Sequence, residues 1–241
     1  MKRLIFICAV LLGVIVAAGL LVAADANRKI KVMFLQGGGV HDWKSCTPIL
    51  KSVLDQTNDF EVTFTENLDD LKERIKQFDI IIQYTTGMEL TKEQENGLCD
   101  FIQNGGGYVG IHSASDSFKN SDRYWEMLGG RFAEHGSGKF TVYIYDHSHP
   151  ITKGMQDFDI EDETYSHNYH RNAQMRSLTR MNRDNERQSM SWVSSYGKGR
   201  VFYTGNGHGR EAWTNPHFQR LVVRAAYWAA ARKVKDPPNI R

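Results

Sequence analysis

Four histidines stand in polar or glycine-rich stretches rather than inside apolar periodic segments: His41, His112, His135 and His208. Imidazole titrates near neutral pH and, when neutral, offers a lone pair to a metal. Carboxylates lie in similar polar stretches, at Asp42, Asp116, Glu134, Asp162, Glu163 and Glu211. Such a set can share a divalent metal or divide the roles of general acid and base. No HExxH or CxxC pattern is present, so spacing alone selects neither chemistry. His112 leads the set because it leaves the apolar run Tyr108-Val109-Gly110-Ile111 abruptly, followed by Ser113. In an open parallel α/β sheet, a residue leaving a central strand at its carboxyl end faces the ligand crevice. His41 and His208 are expected to complete the site, with Glu163 or Asp162 as carboxylate partner.

Several neighbours add to this set. Gly38 and Gly39, in a run of three glycines before His41, would let backbone N–H groups approach a ligand oxygen closely. That run is neither a Walker loop nor a dinucleotide fingerprint. Asp42, His135 and Ser113 are further candidates for substrate contacts, although GIHSAS is not the G-x-S-x-G elbow of a serine nucleophile. Trp43, Trp125 and Trp213 could stack on the CH-rich face of a sugar. Trp43 and Trp213 are the better placed, each close to a glycine loop with a histidine. Cys46 reads as a packing residue, His149 as a turn residue, and His147, His167, His170 and His217 as surface.

These residues need a frame that brings distant loops to one edge. Apolar or alternating runs at 29–35, 60–64, 79–84, 108–111, 140–145, 190–194 and 200–204 read as strands. Helices are expected from Ser45, acting as cap with Pro48 in the first turn, and over 68–77. A third runs from a Thr91/Gln94 capping box to Asn104, and a last one starts at Asn215-Pro216. A short helix is expected at 124–128, and 196–199 reads as a hairpin turn. Residues 175–187 are the least readable part, with an apolar hint at Met175 and Leu178 and then a charged turn. Strand and helix alternate through the first half, the pattern of a doubly wound, mostly parallel sheet with helices on both faces.

The chain has 241 residues, 41% hydrophobic, enough for one ample core. A net charge of +2, with no basic run beyond the N-terminus, argues against nucleic acid. Lys2 and Arg3 precede an apolar run over 4–24 and an Ala-Asp-Ala, the pattern of a secretory signal peptide over 1–26. The run is also long enough to remain as an uncleaved anchor. Either way the domain, read as 27–233, is expected outside the cytoplasm, periplasmic or extracellular, with no membrane contact of its own. Residues 234–241 read as a loose tail. Cys46 and Cys99 fall on different helices, which speaks for two independent thiols.

Several blocks in order now resemble one family. GGGVHDW (37–43), LTKEQENGLCDFIQNGGGYVGIHSASDSF (90–118) and YWEMLGGRFAEH (124–135) are followed by HPITKGMQDFDIEDETY (149–165) and YGKGRVFYTGNGHGREAW (196–213). Over about residues 29–232 the chain resembles the ThuA-like (trehalose utilisation) family. The resemblance implies a class I glutamine amidotransferase-like fold, a flavodoxin-like sheet. In that superfamily the residue leaving the elbow strand is a catalytic cysteine. Gly110-Ile111-His112 stands there instead, which removes glutaminase chemistry. The resemblance further implies a sugar substrate, trehalose, another disaccharide or a keto sugar, and a sugar oxidoreductase in the same pathway. A divalent metal is a candidate cofactor, with His41, His112 and His208 as its candidate ligands. Two rival readings stay open: a non-catalytic carbohydrate-binding domain and a metal-dependent hydrolase of another small substrate.

Overall fold

Along the strand β1 (Ile30–Gly38), side chains alternate between two buried faces. Ile30, Val32 and Phe34 enter one hydrophobic cluster, while Met33 and Leu35 enter the other. A strand covered on both sides must be apolar at every position, which is why residues 29–35 form a nearly unbroken apolar run. The computed structural model describes residues 28–183 and 186–240; the expected signal segment 1–26 lies outside them. Among the described residues no helix is long and apolar enough to cross a membrane.

The chain continues through helix α1 (Trp43–Gln56), β2 (Phe60–Thr65), the short α2 (Asp70–Glu73), a 3-10 turn (Ile75–Gln77) and β3 (Ile80–Thr86). Then come α3 (Lys92–Gln103), β4 (Gly107–Ile111), a second 3-10 turn (His112–Asp116) and α4 (Asp122–Leu128). Strands β5 (Gly130–Ile144), β6 (Phe158–Tyr169), β7 (Met175–Arg183), β8 (Glu186–Tyr196) and β9 (Gly199–Thr204) follow, and α5 (Arg210–Thr214) and α6 (Pro216–Ala229) end the regular structure. All nine strands form one sheet in the order β2-β1-β3-β4-β9-β8-β7-β5-β6. Leu50 and Leu54 of α1 and Leu221 and Val222 of α6 pack on the Ile30 face, whereas Leu98 and Ile102 of α3 and Met127 of α4 pack on the Met33 face. Gly107 lets α6 approach β4, since a Cβ there would stand 2.5 Å from the Ala229 carbonyl oxygen.

The sheet is mixed rather than mostly parallel. Pairing is parallel from β2 across to β9 and antiparallel in all four steps from β9 to β6. The turn between β8 and β9 is too short for a crossover, so that pair must be a hairpin. The least readable stretch, 175–187, supplies much of β7 and the start of β8. Leu178, Thr179 and Met181 of β7 are buried, an order that follows no period of two. At the start of β5, expected only at 140–145, Glu134 and His135 are exposed yet pair with β6.

Three local expectations change. Asp42, not Ser45, caps α1, accepting from the Ser45 backbone N–H at 3.2 Å and the Ser45 hydroxyl at 2.5 Å. The helix therefore begins at Trp43, and Pro48 falls in its second turn. The expected helix over 68–77 is broken into α2 and a 3-10 turn. The tail expected to be loose is docked: Arg220 holds Asp236 at 2.7 Å, Lys235 holds Asp59 at 2.6 Å, and Ile240 packs on the core. The Thr91/Gln94 capping box is present, and Cys46 and Cys99 are free and buried on α1 and α3.

Candidate metal centre

The loops after β1, β4 and β9 emerge at one edge because these strands run parallel in the order β1-β3-β4-β9. They deliver His41, His112 and His208. Ring centroids of His41 stand 4.9 Å from His112 and 5.0 Å from His208, and those of His112 and His208 are 5.5 Å apart. Glu163 comes from the antiparallel half, on β6. Its carboxylate lies 3.3 Å from His112 Nε2, 3.2 Å from His208 Nδ1 and 3.3 Å from His135 Nδ1. One ligand atom from each of His41, His112, Glu163 and His208 lies within 4.8 Å of the others.

The hydrogen bonds decide how these rings face. Nδ1 of His112 lies 2.6 Å from the Gly205 carbonyl oxygen, which can only accept, so Nδ1 carries the proton. In a neutral ring Nε2 then holds an unshared pair, buried and without a hydrogen-bond partner, against the Glu163 carboxylate. His41 Nδ1 is engaged by the Thr86 hydroxyl at 2.7 Å, leaving Nε2 for a ligand. Anchoring one ring nitrogen on a carbonyl or hydroxyl and freeing the other is how proteins orient metal-binding histidines. Burial first, and then His112 and His208, push His41 down to about 3, so its ring is neutral. Burial raises Glu163, but the surrounding histidines, His112 first and then His208 and His135, outweigh it and hold the carboxyl below its ordinary value. Three imidazole nitrogens and one carboxylate oxygen form a donor set suited to zinc or another first-row divalent cation.

Local backbone geometry serves the same end. His112 has φ of +49°, a left-handed conformation that costs a non-glycine residue about 1–3 kcal/mol and persists where the surroundings impose it. Tyr165 lies against its ring, centroids 4.0 Å apart. Asp162 does not enter the centre. It accepts from the N–H groups of Gly207 at 2.8 Å and His208 at 2.9 Å and from Asn206 Nδ2 at 3.1 Å, holding the loop that carries His208. The Tyr84 hydroxyl donates to the His208 carbonyl at 2.9 Å.

Other candidates part company with the centre. Trp213 is fully buried against Tyr84 and Phe218, with its indole N–H on the Gly207 carbonyl, so no ring face is open to a sugar. Trp43 is half-buried as the first residue of α1. Asp42 is spent on the cap. Gly38 is required by Thr86 rather than by a ligand, since at its φ of +79° a Cβ would stand 2.1 Å from the Thr86 carbonyl oxygen. Gly39 borders open space, its N–H on the same carbonyl. Ser113 is fully buried with no partner for its hydroxyl. His135 lies on β5 rather than in a loop, and its half-exposed side chain joins the rim through Glu163. His167 and His170, expected at the surface, are buried. Burial along β6 alternates over Phe158, Ile160 and Asp162, then shifts by one to Glu163, Tyr165 and His167. That slip hid the strand, and with it Tyr165, from the period-two pattern.

A family model described as trehalose utilisation matches residues 31–229. The chain belongs to the ThuA family. A ThuA-like protein from Parabacteroides merdae is similar in structure to this ThuA-family chain at a TM-score of 0.78 and 20% identity, covering 88% of this chain and 94% of that one. A ThuA-like protein from Bacteroides uniformis gives a TM-score of 0.71 at 22% identity, over 87% and 95%. A β-galactosidase from Rahnella gives 0.62 at 14% identity, with 83% of this ThuA-family chain covering 31% of that enzyme. At such identities the likeness is one of fold. No curated protein matches the sequence.

Proposed function

We propose that this chain is an exported, metal-dependent enzyme of carbohydrate catabolism that acts on a disaccharide or a keto sugar. The observation that carries the reading is the convergence of His41, His112, His208 and Glu163, with the buried Nε2 of His112 3.3 Å from the Glu163 carboxylate. A divalent cation held by these four residues would supply Lewis acidity toward a sugar oxygen. The chain's own residues divide the remaining work. His41 stays neutral and so binds rather than moves protons. Glu163 brings the negative charge. His135, at the exposed rim with Nδ1 on Glu163, is placed to give or take a proton at the mouth. The carbohydrate part of the reading is supported by the family description, and export by the basic, apolar and small-residue order of 1–26. The burial of Trp213 weighs against a binding-only domain built on stacked tryptophans.

The test combines metal analysis of protein purified without a histidine tag with turnover of a panel of disaccharides and their keto forms. About one equivalent of metal, and activity lost to a chelator and restored by the metal, is expected. A protein that takes up no zinc, manganese or magnesium, or that turns sugars over equally when stripped, would overturn the reading.

A further inference from the structure

His112 is held at two points, not one, by the parallel neighbour strand β9 and the loop after it. Its ring donates to Gly205, and its own carbonyl accepts from the Tyr203 hydroxyl at 2.8 Å. Having one proton, which goes to His112, Tyr203 Oη must accept from its other neighbours. These are His167 Nε2 at 3.0 Å and the Ser115 hydroxyl at 2.8 Å, whose proton is shared between Tyr203 and the same His112 carbonyl, 3.2 Å away. His167 lies fully within the protein, where a neutral ring has a single N–H, and its Nδ1 has no partner. That proton therefore belongs on Nε2, pointing at Tyr203. The three residues form a directed chain: His167 N–H to Tyr203, Tyr203 O–H to the His112 carbonyl. The carbonyl so fixed belongs to the residue with φ of +49°. A left-handed histidine without such a clamp would relax toward the favoured region and swing its ring away from Glu163.

We propose that His167 and Tyr203 are positioning residues for the candidate metal ligand His112, holding its backbone in the strained elbow through ordered hydrogen bonds. The proposal rests on the metal-centre reading above, and the experiment separates the two. Zinc affinity is measured by titration calorimetry on the untagged full chain, beside melting temperature, for wild type, Tyr203→Phe, His167→Leu, His167→Gln and the remote control Tyr227→Phe. The control also removes a buried hydroxyl bond, that of Tyr227 to Asp59 at 2.6 Å, far from the elbow on α6. Tyr203→Phe and His167→Leu are expected to weaken zinc binding about 10- to 100-fold, the usual effect of losing a residue that orients a ligand. His167→Gln keeps an N–H donor near the position of Nε2 and should recover most of that loss. Tyr227→Phe should lower the melting temperature and leave affinity unchanged. Tyr203→Phe or His167→Leu binding zinc as wild type does would overturn the positioning role. If Tyr203→Phe does not fold, the contrast between His167→Leu and His167→Gln decides, and equal affinity in that pair overturns it. A wild type that binds no zinc overturns the centre itself, and the positioning role with it.

Discussion

The imidazole Nδ1 of His112 donates to the carbonyl oxygen of Gly205 across 2.6 Å, tying the turn after β4 to the loop after β9. Ring and backbone of His112 are thereby fixed together, and the backbone is fixed in a conformation that a Cβ disfavours. Substitution at this position should show it. His112→Gly is expected to be more stable than His112→Ala by about 1 kcal/mol, because glycine adopts positive φ without strain. Urea unfolding of the two variants checks the order; alanine equal to or above glycine would refute the strained elbow.

Asp162 and Glu163 are adjacent acids with different tasks, and they should fail differently. Asp162→Asn turns an acceptor of four N–H bonds into a group that presents its own donors to some of them, costing about 2 kcal/mol or more of stability. Glu163→Gln should abolish metal uptake while changing the unfolding midpoint far less. Equal behaviour of the two in calorimetry and denaturation would contradict the separate roles.

Acid should destabilise the fold before the ordinary carboxylate range is reached. Burial, and after it Arg176, pushes His149 down to about 4, and burial, followed by His112, pushes His167 to about 3. Both folded values lie below the ordinary 6.5, so the unfolded chain takes up protons that the folded chain refuses. The stability is complete above pH 6.5 and is lost as pH falls toward 4 for His149 and toward 3 for His167. Each histidine contributes a slope of about 1.4 kcal/mol per pH unit in its window. Melting temperatures between pH 7 and 4.5 should fall, and His149→Gln should flatten the slope by about half of the part due to this pair. No fall across that range would rule the mechanism out.

A substitution far from the centre sets the baseline. Thr91 accepts from Gln94 N–H and opens α3 through a reciprocal cap. Thr91→Ala should cost about 1 kcal/mol and leave zinc affinity as it was. A change in affinity would mean that α3 is coupled to the centre.

The parallel half was legible in the sequence, because strands buried on both faces must be apolar throughout and their caps are local chemistry: the runs at 29–35 and 79–84 and the Thr91/Gln94 box. It also singled out His112, since an apolar strand ending abruptly in a histidine is visible in one dimension. Only the tertiary structure decided the rest. The first part of β5 is held by main-chain pairing of exposed residues such as Glu134 and His135, which leaves no period to read. Burial of Trp213 and His167 depends on what packs over them, not on their neighbours in sequence. Glu163 and Asp162 looked interchangeable because they differ by one step along β6. One step turns a side chain to the other face of a strand, and that turn gives Glu163 to the histidines and Asp162 to the loop that holds His208.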